Sequence, residues 1–307
     1  MKYLDAETVR RCLAMDDAIE SMRAAFSRDR QIPQRVQLGS SMFMPGRVGE
    51  YTGIKVVSTV PGNPVGLVAI FDMSGVPVGL VDGPTLTAIR TGAGAGLATD
   101  LLAASNASSM AMLGAGAMAF DQIAAIRAVR PIESVVVWSR NPDNAQALAD
   151  IVGGVAVRDA DEAVRDADII TTATPASAPL FDHTSLPVQV HINAIGAYTP
   201  TMVEIPPAFV RDAFVVVDDY AAAAAEAGDL LTAGREPDID VADLLESGSR
   251  DRGPRTLFKS VGIATQDIAA AAAALANAER LGLGIELDQS SVLPLGGTSE
   301  ASSEGGA

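Results

Sequence analysis

Three basic side chains lie in stretches that are otherwise apolar or small. Lys55 occurs in GIKVVST, Arg90 in LTAIRTGAGAG and Arg35 in IPQRVQL. An arginine matches a carboxylate bidentately, and a desolvated lysine can act as an acid or a base. Together they suggest a cationic cradle for a small carboxylate. Taken alone, a lysine in such a run is equally an edge residue that keeps its ammonium in water.

A glycine-rich turn supplies the second chemical signal, in the stretch MAMLGAGAMA. Gly114 permits a tight turn, and Gly116 lets the backbone approach a pyrophosphate at a helix N-terminus. Ala119 holds the third position of the G-x-G-x-x-G fingerprint, an allowed variant. An apolar strand pattern precedes the turn, a helical pattern follows it, and the β-branched run ESVVVW comes next. This context predicts a bound NAD(P).

The residues after that second strand bear on the choice of nucleotide. NAD-preferring folds usually place an acidic residue there, to bind the ribose 2′-hydroxyl. Here Ser139 and Arg140 occupy the place. A guanidinium can pair with a 2′-phosphate, so we expect NADP(H), with NAD(H) as the alternative. Strand ends at ADIITTATP and HINAIGAYTP are expected to face the same crevice.

Composition narrows the class of protein. The chain of 307 residues is long enough for two domains, and its hydrophobic content of 48% indicates a folded globular protein. The net charge of −16 disfavours a nucleic-acid partner. Cys12 is the one cysteine, which excludes an intrachain disulfide and a cysteine-based zinc site; no metal site is predicted. No apolar run has membrane-spanning length and the N-terminus has no apolar signal core, so a cytoplasmic location is expected.

Periodicity predicts two domains. Residues 3–28 fit one helix, 32–82 fit an antiparallel sheet or small barrel with strand-like runs at 35–38, 53–60, 65–71 and 76–81, and 85–104 fit a helix. A strand–helix alternation from 108 to 262 predicts a doubly wound parallel sheet. Its predicted strands are 109–113, 134–138, 155–157, 168–172, 190–195, 214–217 and 256–261. The predicted helices are 117–129, 142–152, 160–165 and 220–232, followed by an alanine-rich helix at 264–282. The tail 289–307 is predicted to be disordered.

Six segments together, in order from about residue 3 to 287, resemble the ornithine cyclodeaminase/mu-crystallin family. They are GIKVVS, LTAIRTGAGAGLA, LGAGAMA, INAIGAYTP, VVVDD with EAGDL, and TLFKSVGIATQDIA. The resemblance implies an α/β fold in which a Rossmann-type domain (106–263) carries an N-terminal α/β substrate and dimerisation domain. That second domain is formed by 1–105 and completed by the C-terminal helix in 264–288. A homodimer acting on a small amino or imino acid is implied.

Carried over by position, the resemblance implies roles for individual residues. Arg35, Lys55 and Arg90 match the substrate-carboxylate and catalytic groups, and Ser260 falls near the active-site cleft beside Lys259. The cofactor contacts are expected in the glycine-rich turn, after the second strand and at two further strand ends. They are Gly114, Gly116, Ala117, Met118, Ser139, Arg140, Thr172, Thr174, Ala194 and Gly196.

The chain departs from the family pattern at two positions. Deaminating members carry an aspartate base where this chain has Tyr198, and Met118 replaces a signature glutamine. A tyrosine hydroxyl donates a proton but is a poor base at pH 7, which favours reduction of a preformed imine, with Tyr198 among the catalytic residues. Asp218 or Asp219, one strand further along the chain, is an alternative carboxylate.

Three functions therefore remain open at this level. The favoured one is an NAD(P)H-dependent reductase of a small α-imino acid, such as pyrroline- or piperideine-2-carboxylate, or the reverse amino-acid oxidation. Ornithine cyclodeaminase or alanine dehydrogenase with NAD is the alternative. The third is a non-catalytic, nucleotide-dependent binding protein, against which the pair Lys55 and Arg90 argues.

Overall fold

The computed structural model describes residues 1–60, 65–248 and 252–288. The strands before the glycine-rich turn are β1 (Lys2–Leu4), β2 (Arg30–Gln31), β3 (Val36–Leu38), β4 (Ser41–Val48), β5 (Tyr51–Ser58), β6 (Gly66–Asp72) and β7 (Pro77–Asp82). The remaining strands are β8 (Ser109–Leu113), β9 (Ser134–Trp138), β10 (Val155–Val157), β11 (Ile169–Thr172), β12 (Val190–Ala194), β13 (Phe214–Val217), β14 (Ile239–Asp240), β15 (Arg255–Lys259) and β16 (Ile285–Glu286).

Eleven α-helices connect and cover these strands within the described residues. They are α1 (Ala6–Cys12), α2 (Met15–Ala25), α3 (Gly83–Leu102), α4 (Ala119–Val129), α5 (Pro142–Val152), α6 (Ala160–Val164), α7 (Pro207–Asp212), α8 (Tyr220–Glu226), α9 (Gly228–Ala233), α10 (Val241–Ser247) and α11 (Ala264–Leu281). Among them, none is both long and apolar enough to cross a membrane.

The first domain is a mixed sheet covered by helices. Its strand order is β16-β1-β7-β6-β5-β4-β2, with β3 beside β4, and the pairs are antiparallel except β1 with β7. Helices α1, α2, α3 and α11 bury the core face, where Val68, Ile70 and Ile268 are fully buried. The alanine-rich α11 thus returns from the far end of the chain to complete this domain.

The second domain is the doubly wound sheet that the strand–helix alternation predicts. All its strands are parallel, in the order β10-β9-β8-β11-β12-β15-β13-β14. Its strands are continuous apolar runs because helices cover both faces. The α/β, Rossmann-type fold class is confirmed. Helix α3 of the first domain packs along α4 of the second, and Arg10 of α1 forms an ion pair with the buried Asp121 of α4.

Some predicted elements differ from the observed ones. Residues 3–28 contain β1 and two helices that break at Leu13 and Ala14, and 220–232 contain α8 and α9 with a break at Ala227. The sequence patterns did not predict β4, which contains Pro45 and Gly46. A Cβ on Gly46 would lie 3.0 Å from Cδ1 of Ile268, so a glycine there allows the close approach of α11. The predicted disordered tail, 289–307, lies outside the described residues.

Candidate active site

Lys55 and Arg90 meet at one carboxylate in the interior of the first domain. Lys55 projects from β5, and its Nζ donates to Oγ1 of Thr87 at 2.6 Å and to Oδ1 of Asp267 at 3.1 Å. Arg90, one turn beyond Thr87 on α3, donates from Nε to the same Oδ1 at 3.0 Å and from Nη1 to Oε1 of Gln266 at 3.1 Å. Two of the three predicted cations therefore form one cluster.

Burial makes Lys55 a usable acid near neutral pH. The removal of water lowers the pKa of Lys55 to about 8; the Asp267 carboxylate opposes the shift and Arg90 adds to it. The ammonium is thus poised to give up a proton. A lysine exposed to water would have a pKa of about 10.4.

Asp267 was missed by the sequence reasoning. It lies in the first turn of α11, and its side chain is completely buried. Its Oδ2 atom has no hydrogen-bond donor among the described residues. The available signal was the run Thr265-Gln266-Asp267 at the start of an alanine-rich helix. Polar side chains in the first turn of an apolar helix either cap its N-terminus or belong to a functional site.

Arg35 lies at a cleft between the domains. It precedes β3, and its guanidinium forms an ion pair with Glu226 at the end of α8. Burial lowers the pKa of Arg35, and the charges of Asp218, Arg90 and Asp267 also act on it. Arg35 therefore shares an electrostatic environment with the Lys55 cluster. Both members of the ion pair line a cavity of about 340 Å³ whose other walls are mostly apolar.

Gly262 connects this cavity to Arg90. The residue lines the cavity and has φ of 78°, and a Cβ there would lie 3.2 Å from Nη1 of Arg90. The Arg90 guanidinium therefore lies directly behind the cavity wall.

The structure places the other two predicted substrate-side residues differently. Tyr198 follows β12, is 55% exposed and makes no hydrogen bond within the part of the chain that the structure describes. Its hydroxyl is therefore available to a ligand. Ser260 is buried, and its hydroxyl donates to Oδ2 of Asp218 at 2.9 Å. That oxygen also accepts from the N–H groups of Val261 and Gly262. Asp218 thus stabilises the turn from Ser260 to Gly262 that leads into α11.

The glycine-rich turn forms the floor of a second cavity, of about 260 Å³, at the carboxyl edge of the parallel sheet. Gly114 has φ of 111°, and a Cβ there would lie 2.5 Å from the carbonyl oxygen of Ala173. A Cβ on Gly116 would meet no described atom within 4 Å, so this backbone is open to a ligand. The N–H groups of Gly116, Ala117 and Met118 have no acceptor among the described residues. These residues precede α4, which begins at Ala119 rather than at the predicted residue 117.

These features fit a dinucleotide. Unpaired N–H groups at a helix N-terminus bind a pyrophosphate, and the open face of Gly116 gives it room. Ser139 and Arg140 line the same cavity directly after β9. Arg140 is exposed and forms no ion pair with any described residue. Its guanidinium is free for an anionic ligand.

Two of the predicted cofactor contacts lie inside the sheet. Thr172 and Ala194 end their strands and are completely buried, with no exposed surface. Their contact with a cofactor stays a prediction. Thr174, two residues beyond β11, lines the cavity as predicted.

A buried carboxylate that the sequence reasoning missed joins the two strand-end loops. Oε1 of Glu204 accepts from the N–H and the hydroxyl of Thr174, at 2.7 and 2.8 Å. Its Oε2 accepts from the N–H groups of Gly196 and Ala197, at 2.7 and 2.9 Å. A Cβ on Gly196 would lie 2.2 Å from the Thr174 nitrogen, so the glycine serves loop-to-loop packing.

The buried ion pair of Asp229 and Lys259 stabilises the backbone at Glu204. Asp229 accepts from the N–H groups of Glu204 and Ile205, at 2.7 and 2.9 Å. Lys259 lies 2.8 Å from the other oxygen of Asp229, and both side chains are fully buried. Lys259 therefore has a structural partner and does not reach the substrate cleft.

A parallel, doubly wound sheet with a Gly-x-Gly turn at its carboxyl edge defines a dinucleotide-binding protein. The chain belongs to the ornithine cyclodeaminase/mu-crystallin family, whose model matches residues 3–280. It is 34% identical to a Delta(1)-pyrroline-2-carboxylate reductase of Bacillus cereus, covering 94% of this chain and all of the relative. It is also 34% identical to an L-lysine cyclodeaminase of Streptomyces rapamycinicus, over 85% and 81% of the two chains.

A solved structure extends the comparison. The Thermococcus litoralis Delta(1)-pyrroline-2-carboxylate reductase in complex with NADH and L-proline superimposes with a TM-score of 0.87. It has 28% sequence identity, and the match covers 94% of this chain and 100% of that one.

Proposed function

We propose that this protein is an NAD(P)H-dependent reductase of a small α-imino acid, such as pyrroline- or piperideine-2-carboxylate. The observation that carries the proposal is the buried cluster of Lys55, Arg90 and Asp267, which combines an acid with a carboxylate-binding cation. The second domain supplies a dinucleotide groove at its glycine-rich turn. The reductases of Bacillus cereus and Thermococcus litoralis among the relatives support the same reaction.

Each protein group has a defined task in this reaction. The guanidinium groups of Arg35 and Arg90 bind the substrate carboxylate. Lys55 donates the proton that the imine nitrogen gains, and Asp267 holds the ammonium in place. The reduced nicotinamide, when bound, supplies the hydride to the imine carbon. Tyr198 is available beside the cleft as a further hydrogen-bond donor to the substrate.

We also infer a preference for NADP(H) over NAD(H). Arg140 is exposed at the edge of the groove and has no described ion-pair partner, and Ser139 beside it offers a hydroxyl. In a chain with a net charge of −16, an unpaired cation at this place favours a 2′-phosphate. The nucleotides named for the relatives' structures, NAD and NADH, make this preference a property to be tested.

A homodimer through the first sheet is part of the same proposal. Helix α11 covers the face that carries Lys55. The alternation of a strand puts five apolar residues on the opposite face: Ile54, Val56, Leu67, Ala69 and Leu80. All are partly or largely exposed in the single chain, and a relative of the same fold is described as a dimer. A cytoplasmic location, expected from the sequence, completes the proposal.

The test is cofactor oxidation at 340 nm with a panel of pyrroline-2-carboxylate, piperideine-2-carboxylate, and pyruvate with ammonia or methylamine. An ornithine-to-ammonia assay runs beside it. We expect NADPH loss with a cyclic imine and no ammonia from ornithine. Ammonia from ornithine without net cofactor change would identify a cyclodeaminase instead.

A further inference from the structure

Glu204 is a completely buried carboxylate with four hydrogen-bond donors on two different loops. Its Oε1 atom accepts from the N–H and the hydroxyl of Thr174, which follows β11. Its Oε2 atom accepts from the N–H groups of Gly196 and Ala197, which follow β12. The strands β11 and β12 are neighbours in the parallel sheet, so one side chain joins two adjacent loops at its carboxyl edge.

These two loops belong to the half of the sheet that does not carry the glycine-rich turn. The order β10-β9-β8-β11-β12-β15 is that of two mononucleotide-binding halves placed side by side. The first half, β8 to β10, carries the glycine-rich turn and Arg140, which are proposed to bind the pyrophosphate and the adenosine ribose. The nicotinamide end of the dinucleotide therefore falls to the loops after β11 and β12.

Close packing makes the position of each loop depend on the other. A Cβ on Gly196 would lie 2.3 Å from the carbonyl oxygen of Thr174, and a Cβ on Gly114 would lie 3.0 Å from Cγ2 of Thr174. Thr174 is thus packed between the loop after β12 and the glycine-rich turn. Tyr198, exposed directly after Ala197, continues the same loop. A shift of the contacts at Glu204 would therefore move residues on both sides of the groove.

The Glu204 carboxylate is held from the interior of the domain. Asp229 accepts from the N–H group of Glu204 at 2.7 Å, and the buried Lys259 lies 2.8 Å from the other oxygen of Asp229. Burial raises the pKa of Glu204, and the charge of Lys259 acts against this shift. A protonated carboxyl would have one acceptor site fewer for the same four donors, so the contacts fit the ionised form.

We propose that Glu204 is a positioning residue that holds both loops at the nicotinamide end of the groove in their binding conformation before the cofactor arrives. The inference rests on the proposed function, which requires a nicotinamide cofactor. Loops that are ordered in advance lose little conformational freedom when a ligand binds, so the ligand is bound more tightly.

The substitution Glu204→Gln keeps the shape of the side chain but replaces one oxygen by an amide group, which cannot accept from an N–H group. The matched control is Asp168→Asn. Asp168 lies directly before β11, at the opposite, amino-terminal edge of the same sheet, and its Oδ2 accepts from the N–H groups of Ser108 and Ser109. Both substitutions disturb a carboxylate that joins backbone segments, but only Glu204 does so at the cofactor edge.

Calorimetric titrations use two ligand pairs, NADP⁺ with adenosine 2′,5′-bisphosphate and NAD⁺ with ADP. Each dinucleotide spans both halves of the sheet, whereas its fragment reaches the first half only. In Glu204→Gln the dissociation constant of the dinucleotide that the native protein binds more tightly should rise about tenfold or more, because hydrogen bonds to a charged group are lost. The constant for its fragment, and both constants in Asp168→Asn, should change by less than about threefold. A smaller rise for the dinucleotide, or an equal rise for the fragment, would overturn the proposal.

Hydrogen exchange of the native protein without cofactor tests the same inference without any substitution. The amides of Thr174, Gly196 and Ala197 should exchange about a hundredfold or more slowly than in an unfolded chain, because a buried carboxylate binds them. Exchange near the rate of the unfolded chain, with protection only after the dinucleotide is added, would overturn the proposal.

The imine-reduction assay separates this inference from the proposed function. If Glu204→Gln weakens the dinucleotide alone but the native protein reduces no imine, the role of Glu204 stands and the proposed reaction fails. If imines are reduced but dinucleotide and fragment weaken together, the reaction stands and the role of Glu204 is refuted. A native protein that binds neither NADP⁺ nor NAD⁺ would refute both.

Discussion

One carboxylate, Asp267, accepts hydrogen bonds from two cations that lie more than 170 positions away in the chain. The cations were visible in the sequence because lysine and arginine are rare inside apolar runs. Asp267, Glu204 and Glu226 were not visible, because each acts on residues that only the tertiary fold brings near. For Thr172 and Ala194 the sequence indicated the position at the strand end but not the burial of the side chain inside the sheet.

The first residue-scale prediction concerns Lys55. As the proton donor it must be charged, so kcat/KM for imine reduction should be constant below pH 8 and fall about tenfold per pH unit above it. Asp267 raises the pKa of Lys55, so Asp267→Asn should move this fall to lower pH. The substrate is the same in both proteins, so its own titration cancels in the comparison. Superimposable profiles would refute the role of Asp267.

The second residue-scale prediction concerns Arg140. Its guanidinium is proposed to bind the 2′-phosphate, so Arg140→Ala should raise the KM for NADPH by about tenfold to a hundredfold, the range of one charge-assisted hydrogen bond. The KM for NADH should change less than threefold. Steady-state kinetics with both cofactors measure this, and Arg158→Ala, a cation outside the groove lining, is the control. Equal effects on both cofactors would contradict the assignment.

At the scale of elements, the sequence predicted those with regular periodicity and failed where packing overrides propensity. The parallel strands, as continuous β-branched runs, were found with nearly the observed limits. Strand β4 was not predicted because Pro45 and Gly46 oppose strand formation. Tertiary packing explains the exception: Gly46 and Gly53 are paired across β4 and β5, and Ile268 of α11 fills the space above them. A sequence pattern holds no information on that contact.

The contact of α3 with α4 gives a prediction of stability. A Cβ on Gly92 of α3 would lie 2.5 Å from the carbonyl oxygen of Asp121 and 2.8 Å from its carbonyl carbon. Gly92→Ala gains helix propensity, but the backbone clash should dominate and cost about 1–3 kcal/mol in the free energy of unfolding. Urea denaturation measures the change. An unchanged or higher stability would show that the two helices can separate without loss.

The buried His191 on β12 gives a prediction of pH dependence. Burial lowers its pKa from 6.5 to about 4, and its ring nitrogens lie 2.8 Å from Oγ1 of Thr256 and 3.1 Å from Oδ1 of Asn193. The unfolded chain therefore binds a proton more readily. The contribution of the neutral His191 ring to the free energy of unfolding is present above pH 6.5 and is lost as the pH falls toward 4.

At pH 5 this loss amounts to about 2 kcal/mol relative to pH 7. Glutamine does not titrate, so between pH 7 and pH 5 the free energy of unfolding of His191→Gln should fall by about 2 kcal/mol less than that of the native protein. Urea denaturation of both proteins at pH 7 and pH 5 measures it. Equal losses in the native protein and the variant would show that His191 is not responsible.

At the scale of the whole molecule, the apolar sheet face opposite α11 predicts self-association. Leu67 on this face is 43% exposed, and a charge there would be buried in the proposed dimer. Leu67→Glu should yield a monomer in size-exclusion chromatography with light scattering, while the native protein elutes as a dimer. Leu231→Glu, a similarly exposed leucine on α9, is the control and should remain dimeric. A monomeric native protein would refute this interface.

The return of α11 to the first sheet bears on how the chain folds during synthesis. The strands β1 to β7 are made first, yet the helix that covers them, and that carries Asp267, follows about 180 residues later. At the usual rate of translation this interval lasts roughly 10–40 s. The Rossmann-type domain gains its strands during this interval, and the last of them, β15, is made just before α11. Until then the older sheet has only α1, α2 and α3 to cover its core face. We therefore expect molecular chaperones to bind the amino-terminal third of the nascent chain until α11 has been made.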